Sequence, residues 1–176
     1  MQLSLVMTII GPDRPGLVDS VASRVTENGG NWLESRMSRL GGHFAGILRV
    51  EMPGEREQSL IQALKGLEKE GLSVVVHSDR AQTASADKEL SLLEIVGQDR
   101  RGIVRQISRV LASHGVNVEE LETERNSAAM SGEMLFKARA KLHIPESCNV
   151  AELRKTLEKI AEDLIVDISL QHVPRV

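Results

Sequence analysis

The octapeptide Gly11-Pro12-Asp13-Arg14-Pro15-Gly16-Leu17-Val18 returns 86 residues later as Gly97-Gln98-Asp99-Arg100-Arg101-Gly102-Ile103-Val104. Self-similarity at a fixed spacing marks a structural unit that is used more than once. The match continues without a gap, pairing Val21 with Ile107, Val25 with Leu111, Gly29 with Gly115, Asn31 with Asn117 and Glu34 with Glu120. Farther on, Phe44 aligns with Phe136 and Pro53 with Pro145, so the second copy carries six extra residues, which Asn126 to Gly132 accommodates. The 176 residues therefore read as two small domains, 1–79 and 89–176, each long enough to bury a core of its own. Between them Arg80 to Lys88 is small, polar and free of large apolar residues, the composition of a linker.

Within a copy the hydrophobic period changes in a definite order. Leu3, Leu5, Met7 and Ile9 alternate as in a strand, and Leu17, Val18, Val21, Ala22 and Val25 follow helical spacing. Asn31 to Leu40 reads as a second strand, Gly41-Gly42 as a hairpin turn, and Phe44, Gly46, Leu48, Val50 and Met52 as a third strand. Leu60, Ile61, Leu64 and Leu67 predict a second helix closed at Gly71, followed by alternating Leu72, Val74 and Val76. The second copy repeats this order: Leu93 and Ile95; Ile103, Val104, Ile107, Val110 and Leu111; a hairpin within Asn117 to Ile144; Leu153, Leu157 and Ile160; Leu164, Val166 and Ile168. The order βαββαβ with right-handed crossovers predicts an α+β chain of two ferredoxin-like domains, each a four-stranded antiparallel sheet with two helices on one face. Such a fold serves many functions, so function has to come from the residues of the site.

Composition removes several classes. A formal charge of −3 provides no field to draw the chain onto nucleic acid or an anionic membrane. Trp32, Phe44 and Phe136 are the only aromatic side chains, too few for a base-stacking surface. Cys148 is the only cysteine, which allows no intrachain disulfide and no CxxC metal or redox site. The N-terminal MQLSLVMTII meets no basic residue before Arg14 and is too short a run to span a bilayer, so the expectation is a cytoplasmic protein without membrane contact. His43, His77, His114, His143 and His172 form no metal-ligand spacing, and no GxSxG elbow presents a serine. No catalytic residue, metal or cofactor is expected.

The loop GPDRPG carries the remaining chemistry. Asp13 is expected as the N-cap of the first helix, with Arg14 and Pro15 in its first turn. Backbone N–H groups around Gly16 and Leu17 would then face an anion at the positive end of the helix. Beside them the Asp13 carboxylate and the Asn31 amide together suit an ammonium group, so the pair of sites suits a zwitterion, and Gly11 and Gly16 let a ligand approach the backbone. Each residue alone also reads as a cap or a turn residue. The grouping recurs in copy two as Gly97, Asp99, Arg100, Gly102 and Asn117, with Arg101 replacing Pro15 and its fixed φ.

A strand, GPDRPGLV, an apolar helix and Gly29-Gly30-Asn31, repeated as GQDRRGIV and HGVNVEEL, resemble the ACT domain, an amino-acid-sensing module, over nearly the whole chain. That resemblance implies ligand binding at Gly11, Asp13, Arg14, Gly16 and Asn31 and at Gly97, Asp99, Arg100, Gly102 and Asn117. It further implies a non-catalytic regulator that senses a small amino acid, glycine being the first candidate. Such a regulator would act by contacting a DNA-binding transcriptional activator, would not bind nucleic acid directly, and would assemble as a homo-oligomer. The alternative from another class is an assembly module that ignores amino acids. From the loss of Pro15 in copy two, the second site is expected to be weaker or empty.

Two weaker features complete the reading. Arg101, Arg105 and Arg109 fall four residues apart, predicting a basic stripe on one helix. Cys148 precedes Asn149-Val150-Ala151-Glu152, the pattern of an Asn-capped helix. Its thiol reads as incidental, and a redox role at a helix N-terminus is the minority reading.

Overall fold

In the computed structural model, residues 1–79, 89–127 and 132–173 are described. The proposed linker, Arg80 to Lys88, lies outside them, as do residues 128–131 of the six-residue insertion. The chain divides into two compact units, Met1–Ser85 and Ala86–Val176.

The first unit runs β1 (Gln2–Pro12), α1 (Leu17–Glu27), β2 (Asn31–Leu40), β3 (His43–Pro53), α2 (Glu57–Lys65) and β4 (Ser73–Asp79), with short 3-10 segments on either side of α2. The second runs β5 (Leu90–Gln98), α3 (Ile103–Ser113), β6 (Asn117–Ser127), β7 (Met134–His143), α4 (Val150–Leu164) and β8 (Val166–Val173). Strand orders are β2-β3-β1-β4 and β6-β7-β5-β8, with every neighbouring pair antiparallel. This is the ferredoxin-like α+β arrangement predicted from the order of periods.

The alternation in the sequence becomes the two sides of each sheet. Leu5, Met7 and Ile9 of β1 and Leu48, Val50 and Met52 of β3 are buried with Leu17, Val21 and Val25 of α1 and Leu60 and Leu64 of α2. In the second unit Leu93, Ile95, Ala138, Ala140 and Leu142 meet Ile103, Ile107 and Leu111 of α3 and Leu153, Leu157 and Leu164 of α4. Each fully buried Leu or Ile contributes about 1.5–3 kcal/mol by leaving water, which makes these faces the main reason the helices dock. Trp32 is half-buried and packs on the first core, so it acts as filler there.

Gly41 and Gly42, both at positive φ, form the two-residue turn between Leu40 and its partner His43, as predicted. Asn149 caps α4 by accepting from the Glu152 N–H at 3.2 Å, also as predicted, while Cys148 packs half-buried against the second core. The basic stripe is shorter than expected: α3 starts at Ile103, so Arg105 and Arg109 lie on the helix and Arg101 lies before it.

Candidate functional site

The helices do not begin where the aspartates suggested. The N-cap of α1 is Gly16 at φ 87° and that of α3 is Gly102 at φ 93°, and neither helix has a side-chain cap bond. Asp13 and Asp99 are not caps. In copy one the residue before Pro15 is disfavoured in the α region, which keeps Arg14 out of the helix. In copy two Arg101 stands where that proline was, yet the helix starts at the same point. The left-handed conformation that glycine adopts without strain therefore sets the start in both copies. The loss of Pro15 thus leaves the second loop with the same shape at this point.

Released from capping, the two aspartates have another partner. Asp13 Oδ2 lies 2.6 Å from Arg39 Nε, and Asp99 Oδ2 lies 2.6 Å from Arg125 Nε. Their backbone N–H groups donate across the hairpin, Asp13 to the Gly42 carbonyl at 2.9 Å and Asp99 to the Met134 carbonyl at 2.8 Å. Arg39 and Arg125 lie outside the loop motif. The available signal was their own spacing, since Arg125 follows Arg39 by the same 86 residues that relate Asp99 to Asp13.

Gly11 and Gly97 close the floor of each loop. A Cβ on Gly11 would lie 2.8 Å from the Gly71 carbonyl oxygen, and one on Gly97 would lie 2.7 Å from the Ile165 carbonyl oxygen. Their role is to let the outgoing strand press against the turn before the last strand of the unit. Over Gly16 the space is open, with nothing within 4 Å of where a Cβ would stand, and over Gly102 there is only the Gln106 amide at 3.9 Å. The loops differ in one tie. Arg14 pairs with the Glu70 carboxylate at 3.0 Å and donates to the Glu70 carbonyl at 3.3 Å, whereas among the described residues Arg100 reaches its neighbour Gln98 at 3.4 Å.

Asn31 and Asn117 are not at this end of the sheet. Asn31 stands opposite Glu51, which stands opposite Ser4, while the loop leaves β1 at Pro12. The separation is eight residues of strand, about 26 Å at about 3.3 Å per residue. In copy two Asn117 stands opposite His143 and Leu90, eight residues from Gln98, and its side chain donates to Glu119 at 2.8 Å. The parallel run of the first two strands in the βαββ order puts their starts together, so a residue beginning the second strand cannot share a pocket with the end of the first inside one unit. The single zwitterion pocket expected from Asp13 with Asn31 is therefore not formed within a unit. Gly11, Asp13, Arg14 and Gly16 do come together, as do Gly97, Asp99, Arg100 and Gly102.

Elsewhere, Arg139 on the outer face of the second sheet has its pKa raised by a hydrogen bond and charge from Glu94, a solvated ion pair away from the loop. Among the described residues, no three His, Cys, Asp or Glu side chains converge as metal ligands, and no helix is long and apolar enough to cross a membrane.

Two sheets of this order, each with its glycine-started first helix, define an ACT-type pair, and the family model for the ACT domain matches residues 4–77 and again 89–171. The chain belongs to the ACT-domain family. It is similar to the glycine cleavage system transcriptional repressor of Escherichia coli K12, with 23% identity over 163 residues covering 91% of this chain and 85% of that protein. A solved structure of an unknown protein from Galdieria sulphuraria shares 32% identity and superposes with a TM-score of 0.83, covering 99% of this chain and 100% of that one. A solved candidate glycine cleavage system transcriptional repressor superposes with a TM-score of 0.75 over 99% of both chains, and at 19% identity that likeness concerns the fold.

Proposed function

We propose that this chain is a non-catalytic regulator that binds a small amino acid at its glycine-started loops and thereby alters its contact with a transcriptional regulator. The observation that carries the reading is the repeated loop itself: an Asp held in place by its backbone, beside open space over a helix-starting glycine, built twice on an ACT fold. The similarity to a glycine cleavage system transcriptional repressor supports glycine as the first ligand to try and a DNA-binding activator as the kind of partner. The cytoplasm is the compartment this reading requires. Gly11, Asp13, Arg14 and Gly16, with Gly97, Asp99, Arg100 and Gly102, form the ligand-binding set. Asn31 and Asn117 stand outside this set, because their own loop is at the far end of the sheet.

Sensing requires that the ligand prefer one state of the protein, by about 1–3 kcal/mol of coupling. The direct test is the unfolding midpoint of the purified chain with each of the twenty amino acids in turn. A native-state ligand at about 100 times its Kd stabilises by about 2.7 kcal/mol, so one amino acid or a small related group should raise the midpoint. A flat panel would remove the sensing reading. Turnover of any amino acid would remove the non-catalytic one.

One observation favours a second reading, an assembly module. Ile10, Ile47 and Val75, each about half exposed, share the outer face of the first sheet, with Ile47 and Val75 flanking Thr8 in register. An oligomer that dissociates in an Ile47→Asp variant, from a chain that ignores every amino acid, would favour that reading.

A further inference from the structure

Arg39 and Arg125 present a combination that fold stability does not explain. Along β2 and β6, position by position, only Asn31, Glu34 and Arg39 recur, as Asn117, Glu120 and Arg125. Ser35-Arg36-Met37-Ser38 has become Leu121-Glu122-Thr123-Glu124, and Leu40 has become Asn126. The arginine has kept its identity while every immediate neighbour changed, and it has kept the same partner atom at the same 2.6 Å. The arginine side chains are 69% and 61% exposed and the aspartates 33% and 29%. An ion pair that open to water contributes little to stability.

The atoms used in the pair decide what is left over. The closest approach is between arginine Nε and aspartate Oδ2 in both copies, so Nη1, Nη2 and Oδ1 are not the atoms of closest contact in the pair. A guanidinium edge binds a carboxylate through two parallel N–H donors, a geometry lysine cannot reproduce. A carboxylate oxygen accepts from an ammonium. An α-amino acid carries these two groups on one carbon, so it can span the outer faces of an Asp–Arg pair without separating it. The hydrogen bond from the aspartate N–H to the hairpin carbonyl fixes the aspartate backbone before a ligand arrives, which reduces the entropy lost on binding.

From this geometry we infer that Asp13 with Arg39, and Asp99 with Arg125, are two zwitterion clasps: the arginine Nη edge takes the α-carboxylate and the aspartate takes the α-ammonium. This deepens the amino-acid-binding reading and rests on it. It replaces the asparagine of the sequence-based pocket with an arginine that reaches the same loop from the end of the second strand. Recognition of this kind directs the ligand side chain towards Gly16, where the space is open, or Gly102, where the Gln106 amide stands 3.9 Å from the position of a Cβ. The clasp itself therefore admits any α-amino acid, and selection falls to what surrounds that space.

The test uses the full chain and the amino acid that raises its unfolding midpoint, titrated calorimetrically. Arg39→Gln with Arg125→Gln should weaken binding at least about tenfold while leaving the midpoint without ligand within a degree or two. The wild-type chain should also lose binding, by a similar factor, for the amine that lacks the carboxylate and for the acid that lacks the ammonium. This second arm needs no variant and stands if the double variant fails to fold. Wild-type affinity retained within about twofold in the double variant overturns the clasps and leaves amino-acid sensing in place. Equal binding of the amine and the amino acid does the same. If no amino acid binds the wild-type chain, both the clasps and the sensing reading fall.

Discussion

The first unit places larger side chains than the second between its first helix and its edge strand, and in the second a small pocket opens there. On the helix side of the sheets, Trp32, Met37 and Leu48 in copy one correspond to Val118, Thr123 and Ala140 in copy two. Leu121 in place of Ser35 restores only part of the lost volume and is itself half exposed. The result is a cavity of about 30 Å³ between α3 and the β6–β7 hairpin, lined by Ile107, Leu111, Phe136, Ala138 and Ala140 among others. Yet both units hold the Asp–Arg pair at the same distance. The lesson is that the loop geometry is set by backbone devices, a left-handed glycine and a hairpin hydrogen bond, which tolerate a differently filled core.

Substitutions at equivalent positions break or sharpen this contrast, and hydrogen exchange of the core amides reads each unit separately. The largest effect is expected for Leu48→Ala, which empties a filled site and should destabilise the first unit by about 2–5 kcal/mol. If the loss is below 1 kcal/mol, the first core is not the tightly packed one. Next come Gly11→Ala and Gly97→Ala. Each drives a Cβ against a backbone carbonyl at 2.8 or 2.7 Å, and each should cost about 1–3 kcal/mol in its own unit. Equal losses in both units would show that the floor of the loop is one device used twice, and a neutral result in either would separate them.

Ala140→Leu goes the other way, restoring the residue that copy one has at this place. It should stabilise the second unit by about 0.5–2 kcal/mol by filling the cavity. Destabilisation would mean that the backbone of the second unit has already closed too far to accept it. The smallest effect belongs to the one tie the loops do not share. Arg14→Ala removes an exposed pair with Glu70 and should cost about 0–1 kcal/mol, while Arg100→Ala should be neutral. A loss larger than that for Arg14 alone, accompanied by weaker ligand binding at the first loop only, would make the Glu70 tie an organiser of the site.

Much of this molecule was legible before any coordinates. The recurrence of GPDRPG as GQDRRG, the order of apolar periods and the Gly41-Gly42 turn determined two βαββαβ units and which side of each strand is buried, because period and turn chemistry are local properties. Three decisions were made only in three dimensions. Asp13 and Asp99 look like caps by proximity to a helix, but a glycine at φ 87° or 93° starts that helix, and nothing in an Asp reports whether its oxygen will find a backbone N–H or a guanidinium. Asn31 and Asn117 look close to the loop by their place in the repeat, but strand register carries them to the opposite end of the sheet. Arg39 and Arg125 lie far from the loop in sequence and come to it because a hairpin returns the end of one strand beside the end of another; their shared 86-residue spacing marks them, but only this non-local pairing brings them to the aspartates.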